Sequence, residues 1–125
     1  QKGAIPIELF VEDSKGSLSD AMNVTKRLIQ KKAAVIIGPM TSNEAKASGP
    51  IIQNAKIPSL EISVTAEGIT EIGDYIFRNS VPESMNIPQT AKKTPRLLEN
   101  KTAAVLYAHD NEQHVTAHKN IRKTL

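Results

Sequence analysis

Two kinds of apolar spacing alternate along the chain. Compact apolar runs occupy residues 5–12, 33–37, 57–62, 75–78 and 102–108, and between them apolar residues recur every three or four positions. A short continuous run fits a strand buried on both faces, as in a parallel sheet covered by helices, whereas the three-to-four spacing is the stripe of a half-buried helix.

In order, Ile5 to Glu12 reads as a first strand rich in Ile7, Leu9, Phe10 and Val11, closed by the turn composition Asp13-Ser14-Lys15-Gly16. From Ser17 a helix follows, with Leu18, Ala21, Met22, Thr25, Leu28 and Ile29 on one face and Ser17 and Asp20 spaced as a capping box. Lys26, Arg27, Lys31 and Lys32 load its C-terminal turns with positive charge, which complements the helix dipole. The run Ala33 to Ile37 then stops at Gly38-Pro39, and Thr41, Ser42 and Asn43 are all residue types that open a helix. That helix should run from about Ser42 to Asn54, kinked by Gly49-Pro50. Ile57 to Ile62 is a short strand with the loop Ser63 to Gly68 after it, and Tyr75 to Arg78 is a brief extended piece. A proline-bearing helix over roughly Met85 to Leu98, a buried-type strand Thr102 to Ala108 and a charged helix Asn111 to Thr124 complete the pattern.

This alternation predicts an α/β fold, a three-layer α/β/α sandwich with a mainly parallel sheet of Rossmann-like kind. Val35, Ile36, Ile37, Val105 and Leu106 should be its buried strand residues, with Leu18, Met22, Leu28 and Ile29 packed on the sheet. In such sheets ligands sit beyond the carboxyl ends of the strands. Thr41, Ser42, Ser63, Thr65, Glu83 and the segment Asp110 to His114 all follow strand ends, so they should gather along one rim.

A chain of 125 residues suits one domain. Its 16 basic and 13 acidic residues are interspersed, and the nearest basic cluster, Lys92, Lys93 and Arg96, lacks interleaved aromatics, so a solvated face fits better than a nucleic-acid patch. With no cysteine, disulfides, thiolate metal sites and a cysteine nucleophile are excluded. No run approaches the roughly eighteen apolar residues of a membrane span. Gln1-Lys2-Gly3-Ala4 leads straight into a strand-like run, and Ile121 to Leu125 stop within a helical pattern, as expected of a piece of a larger mature protein.

The rim residues suggest a zwitterion. The hydroxyls of Thr41, Ser42, Ser63 and Thr65, with the free N–H groups at a helix start, suit a carboxylate, and Glu83 suits an ammonium. The plainer alternative is that Ser42 caps its helix and the rest are unrelated polar loops. Enzyme signatures are missing: the chain has no G-x-S-x-G, no H-E-x-x-H, no phosphate-loop lysine after Gly38 and no spaced Rossmann glycines. His114 and His118 stand four apart on a helix, but no third ligand accompanies them, so they read as surface histidines.

The succession Val11-Glu12-Asp13-Ser14, Leu28-Ile29, Val35-Ile36-Ile37-Gly38-Pro39, Ile57-Pro58-Ser59-Leu60, Phe77-Arg78-Asn79-Ser80 and Ala104-Val105-Leu106-Tyr107 resembles the type I periplasmic binding proteins, most closely the branched-chain amino-acid receptors of ABC importers. The resemblance implies that residues 1–125 form a single amino-terminal lobe, without its first strand and without the second lobe. It implies a solute receptor and not an enzyme, with no cofactor and no metal, found in the periplasm or otherwise outside the cytoplasm, and lipid-anchored in a Gram-positive source. Its partners would be a small solute, an amino acid or a relative, and a membrane permease, with no nucleic acid. Carried over position by position, Thr41, Ser42, Ser63 and Thr65 would hold the ligand's charged ends and Glu83 would approach its amino group. His114 stands where the family commonly has an aromatic residue. The same fold serves in sensors and in effector domains of transcription regulators, which remains the alternative, with a nucleotide-using α/β enzyme behind it. A missing first strand would leave a sheet edge that invites self-association.

Overall fold

The computed structural model describes residues 5–98 and 102–125, with the side chains of 96–98 left aside. The reading of Gln1 to Ala4 lies outside the described residues, as does the side chain of Arg96 in the basic cluster.

The first helix, α1, spans Leu18–Gln30. Ser17 caps it by accepting from the Asp20 N–H at 3.3 Å, as its spacing foretold. Strand β1, Ile36–Ile37, leads through Gly38 and a cis peptide to Pro39 into helix α2, Ser42–Ala55. Gly38 has φ of 110°, a conformation that a residue with a Cβ rarely adopts, so the turn from strand to loop favours glycine there. Strand β2 is Ser59–Glu61, β3 is Ile76–Arg78, and a 3-10 turn at Thr70–Ile72 lies between them. Helices α3, Glu83–Leu98, and α4, Glu112–Thr124, end the chain. Helix α3 begins two residues before its expected start and runs through both Pro88 and Pro95.

The three strands are parallel in the order β1-β2-β3. Ile36 stands opposite Ser59, and Ser59 opposite Ile76, so these three share one face. That face is the core: Ile36 and Ile76 meet Ala45 and Ile52 of α2, with Val64 and Ile69 from the loop after β2 and Leu28 of α1 against them. Burying such side chains is the main source of stability. Helix α1 lies along α2, α3 along α4, and α4 touches α2.

The α/β class with a parallel sheet is therefore the observed one. Several finer expectations are not met. Residues 5–12 form no strand, and Ile5, Ile7, Leu9 and Val11 are exposed. Residues 102–108 form none either, and Leu106 is 100% exposed and Val105 41%. The reason is common to both: a strand is completed by backbone partners on a neighbouring strand, and neither segment has one among the described residues. Val35 and Ile37 point to the other face of the sheet and stand 53% and 66% exposed, so of the five expected core strand residues only Ile36, at 5%, is buried. On α1, Leu28 packs on the core but Leu18 is largely exposed; the small Ala21 and Thr25 take the innermost positions. Segment 5–12 is held by its polar side instead, through Glu12 bound to Arg27 at 2.7 Å and to Lys31 at 3.1 Å.

Candidate ligand site at the strand ends

The loops that leave the strands are tied to one another. Ser63 donates from Oγ to the Met40 carbonyl at 2.5 Å, joining the loops after β2 and β1. The Ala66 N–H donates to Ser42 Oγ at 3.3 Å, joining the β2 loop to the start of α2. Arg78 Nη1 donates to the Ala66 carbonyl at 2.8 Å, and the Ser80 hydroxyl donates to the Val64 carbonyl. Between the β2 loop and the start of α3, the Glu83 N–H donates to the Thr65 carbonyl at 3.0 Å and Thr65 Oγ1 donates to Glu83 Oε1 at 2.8 Å.

The start of α4 is drawn to the same rim by Asn43. Its side-chain amide donates to the Asp110 carbonyl at 3.0 Å and accepts from the Glu112 N–H at 2.9 Å, and Lys46 pairs with Glu112 at 2.6 Å. In this way Gln113, on the first turn of α4, donates from Nε2 to Glu83 Oε1 at 3.3 Å.

The six expected site residues thus have different situations. Thr65 and Glu83 are in direct contact, Glu83 being 8% exposed, and Ser42 is buried beneath the same loops. Ser63 lies exposed at the rim. The hydroxyl of Thr41 is committed to the α2 cap: it accepts from the Glu44 N–H at 3.3 Å and donates to Glu44 Oε2 at 2.7 Å, and Glu44 Oε2 accepts in return from the Thr41 N–H. The cap is therefore Thr41, one position before Ser42. With the Glu44 N–H satisfied, those of Ser42 and Asn43 remain as first-turn donors at the positive end of the helix. His114 is exposed on the first turn of α4 and bonds back to the segment before that helix, accepting at Nδ1 from the Ala108 N–H at 3.4 Å. It is Gln113, one residue earlier, that reaches Glu83, and only its place on a first helical turn beside His114 signalled it. His118 stacks on Tyr107 with ring centroids 4.0 Å apart, and no group of three or more metal-capable side chains occurs among the described residues.

One titratable residue lies behind the rim. Glu61, the last residue of β2, is fully buried; its Oε1 accepts from Ser59 Oγ at 3.2 Å, and its Oε2 has no partner. Burial pushes its carboxyl up to about 8 against the opposing effect of the Ser59 hydroxyl.

In open parallel α/β sheets, ligands bind where polar loops converge past the carboxyl ends of the strands. A family model described as periplasmic binding protein matches residues 2–125, and the chain belongs to that family. Among solved structures, the branched-chain amino acid transporter substrate binding protein LivJ of Streptococcus pneumoniae, in complex with isoleucine, superposes with a TM-score of 0.88 at 24% identity, over 94% of this chain and 34% of that one. A solute binding protein of an ABC transporter from Rhodopseudomonas palustris, in complex with 4-hydroxybenzoate, has a TM-score of 0.78 at 26% identity over 86% and 29%. The leucine binding protein LivK of Thermotoga maritima has a TM-score of 0.84 at 20% identity over 90% and 32%. The chain spans about a third of the length of these structures. No curated protein matches it.

Proposed function

We propose that this chain is one ligand-binding lobe, the amino-terminal one, of the solute receptor of an ABC importer, and that the solute is an amino acid, branched-chain ones foremost. The observation that carries this reading is the contact of Thr65 with Glu83 at the strand ends, in a loop whose next residue, Ala66, is bonded to Ser42 at the start of α2. The helix start suits the carboxylate of a zwitterion and Glu83 its ammonium.

An aromatic acid is the second reading, prompted by the structural neighbour in complex with 4-hydroxybenzoate. Glu83 argues against it here, since a benzoate offers no cation to a carboxylate at the rim and would be repelled by it. In the proposed cycle the solute lies between two lobes that close as a hinge, outside the cytoplasm, and the closed form docks on a membrane permease. The family supports that location, and a lipid anchor would hold the receptor to the membrane of a Gram-positive source. Among the described residues no helix is long and apolar enough to cross a membrane.

The test is a thermal-shift and calorimetric screen of the full-length, ligand-stripped protein against the twenty L-amino acids and a set of benzoates. Stabilisation by one or more aliphatic amino acids is the expected result. Binding of benzoates alone would transfer the site to the second reading, and no response to either class would remove both.

A further inference from the structure

The two oxygens of Glu83 are in different states. Oε1 accepts from Thr65 Oγ1 at 2.8 Å and from Gln113 Nε2 at 3.3 Å, while no hydrogen bond among the described residues engages Oε2. The terminal torsion of a glutamate is broad, so a carboxylate held by one donor can still swing about that contact. A second donor from another element removes this freedom. Thr65 comes from the β2 loop and Gln113 from α4, so the carboxylate is gripped from two sides of the rim.

The position of Gln113 is itself fixed. Asn43 binds the backbone on both sides of the α4 start, at the Asp110 carbonyl and the Glu112 N–H, and Lys46 pairs with Glu112. Helix α2, which brings Ser42 to the rim, therefore also sets where the Gln113 amide stands. The link runs from the carboxylate end of the proposed ligand to its ammonium end through Asn43, Gln113 and Glu83.

We propose that Gln113 is a positioning residue for ligand recognition: its amide locks the Glu83 carboxylate by Oε1 and leaves Oε2 presented to the ammonium of the bound solute. This rests on the amino-acid reading above and assigns a role to a residue that never has to touch the ligand. A neutral amide suits the task, since it donates without contributing a charge that would compete with the ammonium.

The experiment uses the full-length protein and whichever of the twenty L-amino acids binds it most tightly. Gln113→Ala should weaken that affinity about tenfold, the scale of a lost hydrogen bond to a charged group, and leave the melting temperature of the ligand-free protein within about one degree. Gln113→Glu, which keeps the length but replaces the donor by a second carboxylate, should lose at least as much. Unchanged affinity in Gln113→Ala would overturn the proposal, as would an affinity loss in both variants that tracks a fall in ligand-free melting temperature. Failure of the amino-acid reading itself shows separately, in the wild type, as absence of binding by any of the twenty.

Discussion

Thr65 and Glu83 are bonded to each other twice, backbone to backbone at 3.0 Å and side chain to side chain at 2.8 Å. The pair joins the loop after β2 to the start of α3 and makes one residue's hydroxyl the guide of the other's carboxylate. Thr65→Val removes the hydroxyl at constant shape. In the full-length protein it should cost about 1–3 kcal/mol of ligand affinity and about 1 kcal/mol of ligand-free stability. Glu83→Gln should lose the affinity with little change in stability, because an amide oxygen still accepts from Thr65. Titration calorimetry beside thermal melts separates the two effects, and a Thr65→Val protein with full affinity but a lowered melting temperature would reduce this pair to a structural tie.

Adjacent residues on β1 should respond oppositely to truncation. Ile36 lies in the core cluster with Ile52 and Ile76, while Ile37 faces away and is largely exposed. Ile36→Ala should lower stability by about 2–5 kcal/mol, and Ile37→Ala by well under about 1 kcal/mol. Urea denaturation of the two variants checks this, and equal losses would mean that the outer face is covered in the intact protein.

That same pair marks what the sequence could and could not reveal. A run such as Ala33 to Ile37 announces a strand, but its continuous apolarity hides which face is buried, because that depends on what the other face meets. Residues 5–12 and 102–108 carry equally good strand signals, yet pairing is a property of neighbours and not of a segment. Helices were more legible, since caps are local: Ser17 and Asn111 both accept from the N–H three residues on. At the site, spacing brought Thr65 and Glu83 to one rim but could not disclose that Thr41 is committed to Glu44, nor that Gln113 and not His114 turns toward Glu83. Those choices are made by tertiary contacts such as Asn43 with Glu112.

Because the Thr41 hydroxyl both accepts from and donates to Glu44, its first duty is the fold of α2. Thr41→Ala should cost about 1–2 kcal/mol of stability, as loss of an N-cap does. Thr41→Ser, which retains the hydroxyl, should recover most of it. Should Thr41→Ala melt like the wild type, the cap is dispensable and the hydroxyl is free for another role.

Among the described residues strand β1 is an edge of the sheet, and Ile37 on it and Val35 just before it are apolar and exposed. Edges of this kind recruit another strand. The 125-residue chain, expressed by itself, should therefore self-associate as its concentration rises, and Ile37→Lys should shift it toward monomer. Light scattering coupled to gel filtration reads both, and a monomer at all concentrations would show that the edge is protected.

Glu61 gives the protein a dependence on pH opposite in sense to that of an ion-paired carboxylate, because burial without a charged partner raises its pKa instead of lowering it. Its folded value, pushed up to about 8 by burial, lies above the ordinary value of 4.5. Between these two values the folded protein keeps a proton that the unfolded chain has released. The unfolded state then binds fewer protons, so stability falls as pH rises. Below about pH 4.5 this loss is absent; through the window up to about pH 8 it accumulates at about 1.4 kcal/mol per pH unit, and above it levels off. Glu61→Gln keeps the shape, supplies a neutral group and removes the titration. Its amide oxygen can accept from Ser59 as Oε1 does, and its NH2 takes the unpartnered place of the protonated Oε2, so the variant should equal the wild type near pH 4.5 and exceed it increasingly toward pH 8. Melts of both proteins across this range decide the matter. Parallel curves would mean that Glu61 is ionised in the fold, with a partner that compensates its burial.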